Sequence, residues 1–269
     1  MTLWATSDLH VGYEENRRRV AELHAEAGDW LILAGDIAES PAQFEWVLRT
    51  LAPRFARLIW TPGNHDLWTP RAYPPERRGE AHYRQLVEIC RSHGVLTPED
   101  PFALWPGDGR PVAIVPTFVL YDYSFRPDAV PRDHAVAWAA EAGVQCADEE
   151  LLSPYPYATR DAWCHARVAF TEARLSAVPD GVRLVLVNHF PLRRDLAVLP
   201  RIPRFSLWCG TRATESWTRR FPIDIVVSGH LHIRNSRVID GVRFEEVSLG
   251  YPKQWSQSRG IRSYLRKIL

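Results

Sequence analysis

Short apolar runs recur along the chain, and each gives way to a polar break. They are Leu3-Trp4-Ala5-Thr6-Ser7, Trp30-Leu31-Ile32-Leu33-Ala34, residues 57–61, Val112-Ala113-Ile114-Val115, residues 183–187 and residues 223–227. Runs of this length bounded by turn residues read as buried strands. Between the first three lie helical patterns. Residues 14–27 space Val20, Leu23 and Ala27 among Glu and Arg. Ser40 stands as an N-cap before Pro41 at the first helical position, opening a helix to about Leu51. The order β-α-β-α-β with short connections is that of an α/β sheet flanked by helices.

Beyond residue 61 the alternation loosens. Residues 69–79 are rich in Pro and Arg and read as loop, and a helix over 80–93 stops at Gly94. Residues 121–160 carry Tyr121, Tyr123, Phe125, Trp138, Tyr155 and Tyr157 with repeated Pro, and some helix near 133–142. A helix over about 159–177 restores the pattern, and a second irregular stretch spans 190–212. Both stretches are expected to fold over the sheet edge as lids. Asp240-Gly241 between 236–240 and 242–249 is a strong hairpin signal. With no repeat, low-complexity tract or linker in view, residues 1–269 read as one domain.

Composition narrows the class only a little. The chain of 269 residues is 46% apolar and 24% charged, with a formal net charge of +1. That is an ordinary globular balance with no general attraction to polyanions, which argues against nucleic acid as partner. No apolar run reaches membrane-spanning length, and no signal segment precedes the first strand, so a cytoplasmic protein is expected. Cys90, Cys146, Cys164 and Cys209 are far apart and read as reduced, structural thiols. Oligomeric state is left open.

Chemistry gathers where the strands end. Asp8-Leu9-His10, Gly35-Asp36, Gly63-Asn64-His65-Asp66, Asn188-His189 and Gly229-His230-Leu231-His232 each follow an apolar run. Gly35-Asp36 by itself is an ordinary turn, and Asp8-Leu9-His10 could cap a strand. The set, in strand context, points instead to five loops meeting at one sheet edge around two metal ions. Two adjacent cations need a bridging ligand, and Asp36, the lone carboxylate at its strand end, is the candidate. The mixed imidazole, carboxylate and amide donors suit Mn, Fe or Zn better than Ca. Two such ions polarise a phosphoryl oxygen and lower the pKa of a shared water.

The order Asp-x-His, Gly-Asp, Gly-Asn-His-Asp, Asn-His, Gly-His-x-His resembles that of the calcineurin-like metallophosphoesterases, from residue 8 to residue 232. The resemblance implies a two-sheet β-sandwich flanked by helices, with a dimetal site at the strand ends. It implies that Asp8, His10, Asp36 and His232 hold one divalent or trivalent ion, and Asp36, Asn64, His189 and His230 the other. His65 would serve the phosphoryl group or the leaving group, and Asp66, where many members carry Glu, would orient that imidazole.

The expected activity is hydrolysis of a small phosphate ester by in-line attack of a metal-bridging hydroxide. A small or cyclic-nucleotide phosphodiesterase is the alternative, and monoester and diester are not separable at this level. A nuclease would need a broad basic groove. A non-catalytic scaffold would be expected to have lost ligands, and this chain keeps every position. Arg193 and Arg194, with Arg201 and Arg204, stand as candidate contacts to substrate, or as a solvated basic loop.

Overall fold

Side-chain alternation along the apolar runs decides how they stack. The computed structural model describes residues 1–107 and 109–269. Its first half runs β1 (Leu3–Thr6), α1 (Glu14–Ala21), β2 (Trp30–Leu33), α2 (Pro41–Leu51), β3 (Arg57–Trp60) and α3 (Glu80–Ser92). Then come β4 (Ala103–Leu104) and β5 (Val112–Pro116), followed by α4 (Ala135–Ala140) and α5 (Asp148–Leu151) inside the first irregular stretch. The alternation resumes with α6 (Arg160–Ser176), β6 (Arg183–Val187), α7 (Trp217–Arg220) and β7 (Ile223–Ser228). β8 (Asn235–Ile239), β9 (Val242–Glu246) and β10 (Arg266–Lys267) complete the strands.

A four-stranded sheet has the order β10-β1-β2-β3, and a six-stranded sheet the order β4-β5-β6-β7-β9-β8. β1, β2 and β3 are parallel, as are β5, β6, β7 and β9, while β10, β4 and β8 pair antiparallel at the edges. Leu3, Ala5, Ile32 and Ile59 of the first sheet share one buried cluster with Ile114, Val185, Val187, Ile225 and Val227 of the second. That cluster is the interior of a two-sheet sandwich. The residues between them, such as Leu31, Leu33, Leu184, Leu186 and Val226, face the other way into a cluster with Phe44, Val47 and Leu48 of α2 and Trp163 of α6. A period of two thus splits each strand between sheet–sheet and sheet–helix packing. Each such aliphatic contributes roughly 1.5–3 kcal/mol on burial.

Several boundaries differ from expectation. α1 ends at Ala21, well before residue 27, because Arg54 Nη1 takes the carbonyls of Ala21 and Leu23 that a longer helix would use. The second hairpin strand stops at Glu246, and Ser248 beyond it bridges instead to Ser7 at the end of β1. β10 was not foreseen, since two residues carry no readable period. The hairpin turn has Asp240 and Gly241 at φ of 51° and 80°, as a type I′ turn requires. The Ser40 side chain accepts from the Gln43 amide, as an N-cap does.

The two irregular stretches interlock. Phe125 of the first shares a small buried cluster with Ala197, Leu199 and Cys209 of the second and with Leu231. The Arg204 guanidinium lies 4.7 Å from the Trp138 ring centroid. Trp208 Nε1 donates to Glu149 at 2.7 Å.

Candidate metal centre

The loops that follow β1, β2, β3, β6 and β7 lie side by side. The amide of Asp8 donates to the Gly35 carbonyl, that of His10 to Asp36, and that of Gly229 to His189. Two glycines make the approach possible. A Cβ on Gly63 would collide with the carboxylate and backbone of Asp36, and one on Gly229 with Ser7 and the Asp8 carboxylate. The closeness forces unusual backbone on the polar residues too. Asp8, His10, Asp36, His230 and His232 all have positive φ, between 41° and 72°. Non-glycine residues seldom adopt this region, and clusters of such strain occur at functional sites.

Each carboxylate has one oxygen tied to protein donors and one left over. Asp8 Oδ2 accepts from Ser7 and Ser248 hydroxyls and from the His230 amide, at 2.5, 2.7 and 3.1 Å. Its Oδ1 faces His232 Nε2 at 3.0 Å and His10 Nε2 at 3.9 Å. Asp36 Oδ1 accepts from the His65 amide at 2.8 Å. Its Oδ2 faces His189 Nε2 at 3.4 Å and His65 Nε2 at 3.9 Å. The imidazoles are set in the same way. His189 Nδ1 donates to the Ala34 carbonyl at 2.8 Å and His232 Nδ1 to Gln254 Oε1 at 2.7 Å, which turns both Nε2 lone pairs inward. Gln254 is itself held by the Tyr251 amide.

Electrostatics follow from this crowding. Burial alone would push the Asp8 and Asp36 carboxyls up, yet facing imidazoles, chiefly His232 and His189 respectively, hold both well below the usual range. Burial drives His10 down to about 4 and His230 down to about 3, so both rings are neutral. His189 is raised to about 10 and His232 to about 9, because Asp36 and Asp8 outweigh the burial that would lower them. Among the described residues, His10 Nδ1, His189 Nε2 and His230 Nε2 are buried without a hydrogen-bond partner. Orphaned buried donors or acceptors are costly. The donor set therefore fits metal ions, with three overlapping groups: Asp8, His10 and His232; His10, Asp36 and His65; Asp36, His189 and His230. Asp36 belongs to two of them, through the one oxygen that the His65 amide leaves open.

Asn64 completes the cluster. Its Oδ1 is 3.1 Å from His230 Nδ1, and its Nδ2 donates to Asp148 at 2.9 Å. His65 sits at the rim, 4.6 Å from His10 between ring centroids and 3.6 Å from Trp68.

One sequence expectation needs correction. Asp66 does not orient His65. Its short side chain turns inward, accepting the amides of Asp36, Ile37, Ala38 and Gly63 at 2.9–3.1 Å. The partner of His65 Nδ1 is Glu39 at 2.9 Å. Burial lowers His65, but the Asp36 charge and the Glu39 bond overcome it and raise the imidazole above its ordinary value. Arg193 and Arg194 line a hollow with Asp195, Glu215 and Arg219 that shares no residue with the cavity at the ligand cluster. The Arg193 guanidinium is engaged by Asp195 at 2.7 Å and lies 3.7 Å from Asp240.

Glu39, Gln254, Tyr251 and Asp148 were missed from sequence. Glu39 lies three residues beyond Asp36 in the same loop, which was the only available signal. The cavity over the cluster measures about 210 Å³. Its floor is Asp36, Asn64, His65, His230 and His232, and Tyr251 and Gln254 line it too. Its apolar wall comes from Leu199, Ile202 and Phe205 of the second irregular stretch, with Leu231.

Comparison with known proteins agrees with this geometry. The calcineurin-like phosphoesterase family matches residues 1–234. The acyl-carrier-protein phosphodiesterase PptH of Mycobacterium tuberculosis is 50% identical over 270 residues, spanning 100% of this chain and 83% of that protein. The crystal structure of phosphopantetheinyl hydrolase (PptH) from Mycobacterium tuberculosis superposes with a TM-score of 0.93 at 50% identity, covering 100% of this chain and 95% of that one. A dimetal phosphatase from Danio rerio, 10% identical with a TM-score of 0.51 over 92% of this chain and 87% of its own, shares the fold alone. Among the described residues no helix is long and apolar enough to cross a membrane. The chain belongs to the calcineurin-like phosphoesterases and is a metal-dependent phosphoesterase.

Proposed function

We propose that this enzyme hydrolyses the phosphodiester joining a phosphopantetheine arm to an acyl carrier protein. The observation that carries this reading is the cavity. Its floor is the ligand cluster and one wall is apolar, formed by Leu199, Ile202, Phe205 and Leu231. A slender organic arm attached to phosphorus suits such a space, whereas a nucleic acid strand needs an open cationic channel. The PptH relative, an acyl-carrier-protein phosphodiesterase, supports the choice of diester over monoester. It also enlarges the expected partner from a small ester to a protein. A prosthetic arm reconciles the two, since only the arm has to enter.

In this reading Asp8, His10, Asp36 and His232 would hold one ion, and Asp36, Asn64, His189 and His230 the other, with Asp36 common to both. Mn, Fe or Zn suits these mixed donors. Bound there, such ions would supply Lewis acidity to the phosphoryl oxygens and lower the pKa of water. His65, protonated and steadied by Glu39 and Trp68, gives a proton to the leaving alkoxide as the phosphorus–oxygen bond to the carrier breaks. The apolar wall excludes water from the arm side and orients the phosphorus. The four cysteines are free thiols, which accords with a cytoplasmic setting for the reaction.

The test is incubation of the Mn-loaded enzyme with a phosphopantetheinylated carrier protein, followed by intact-mass measurement. Conversion to the apo carrier with release of phosphopantetheine is expected. An untouched carrier, under conditions where a generic aryl phosphodiester is cleaved, would overturn this substrate while leaving the phosphoesterase standing.

A further inference from the structure

We infer that Asp148, in the first irregular stretch, is a positioning residue that selects which end of the Asn64 amide faces the metal cluster. Asp148 is fully buried, and one of its oxygens, Oδ1, accepts from Asn64 Nδ2 at 2.9 Å and from Trp68 Nε1 at 2.7 Å. The amide of an asparagine can be rotated end for end with little change of shape, yet only its oxygen can bind a cation. The Trp68 indole can only donate, so Oδ1 is held as an acceptor and draws the Asn64 NH2 group to itself. The Asn64 oxygen is thereby left toward His230, whose Nδ1 is 3.1 Å away. In the reversed orientation two acceptor oxygens would face each other at Asp148, and an NH2 group would face the site.

The same oxygen acts on a second member of the site. The Trp68 indole that it holds lies against His65, with ring centroids 3.6 Å apart. Asp148 is in turn fixed by its surroundings. The neighbouring Leu151 carbonyl accepts the Thr69 amide at 3.0 Å, and Glu149 accepts from Tyr123 at 2.9 Å, Trp208 at 2.7 Å and Arg160 at 2.8 Å. The irregular stretch therefore does more than cover the sheet edge. It carries the acceptor that orients one ligand and one aromatic support on the loop after β3.

The inference rests on Asn64 being a ligand, and the test separates the two. Mn²⁺ is titrated into metal-free protein and its affinity read calorimetrically for wild type, Asn64→Ala, Asp148→Leu and Asp148→Asn. Groups that orient a metal ligand typically change affinity 10–100-fold. Asp148→Leu, close in size but without an acceptor, is expected to weaken the second ion by roughly that factor. Asp148→Asn keeps an amide oxygen able to accept from both Asn64 and Trp68, so it is expected to restore most of the loss. Unchanged affinity in Asn64→Ala overturns the ligand assignment itself. Weakening in Asn64→Ala with wild-type affinity in Asp148→Leu overturns only the role of Asp148. Should Asp148→Leu fail to fold, Asp148→Asn still decides, because a loss as large as that of Asn64→Ala would show that an acceptor at this position does not suffice.

Discussion

Asp36 shows how much one side chain is asked to do in this site. One oxygen holds the His65 amide and the other faces two groups of nitrogens. Asp36→Asn is expected to empty both metal positions, since a neutral amide cannot balance two cations, whereas His10→Ala should chiefly empty one. Elemental analysis of the purified variants checks this, and two tightly held ions in Asp36→Asn would remove the bridge. His65 lies beside the cluster, so its loss should be kinetic. His65→Ala is expected to lower kcat by roughly 10²–10⁴-fold, the range for a positioned acid, at near-normal metal content. Glu39→Gln should give a smaller loss of the same kind, because the imidazole keeps its place but loses the carboxylate that favours its protonated form. Wild-type kcat in Glu39→Gln would take that pairing out of the mechanism.

At the scale of elements, the loops after β2 and β3 are one unit, and Asp66 is what joins them. Its carboxylate accepts three consecutive amides after β2 and the Gly63 amide after β3. Asp66→Ala would leave these buried donors without an acceptor, each at a cost of about 1–3 kcal/mol. We expect a stability loss of roughly 3 kcal/mol or more, with weakened metal binding as Asp36 shifts. Urea melts of the variant and wild type measure it. Coincident melts would mean that the loops hold their shape without the carboxylate.

For the whole molecule, the sandwich brings together backbone strain and buried orphaned nitrogens at the edge where its two sheets meet. A ligand that binds only the folded state stabilises it by mass action, about 4 kcal/mol at a thousand times its Kd. Removal of metal by a chelator is therefore expected to lower Tm, and returning Mn²⁺ to restore it. An identical Tm with and without chelator would show that the cluster holds no ion in the folded protein.

Much of this was open to a reader of the chain, and the division has a physical cause. The α/β order, the strand ends and the five polar runs are local in character. An apolar run of four or five residues followed by Gly-Asp or Gly-Asn-His-Asp specifies its own strand and its own loop. The hairpin at Asp240-Gly241 and the cap at Ser40 are equally local. What lay out of reach depends on groups distant in sequence. Glu39 meets His65 across 26 residues, Asp148 meets Asn64 across 84, and Gln254 meets His232 across 22. An isolated Glu, Asp or Gln in an irregular segment has no period to betray it. Asp66 was misjudged because its carboxylate turns away from the adjoining His65 ring toward the amides after β2. Only the packing of two sheets settles which oxygen finds an amide and which is left for a cation, because hydrogen-bond partners are assigned by distance in the fold and not by order along the chain.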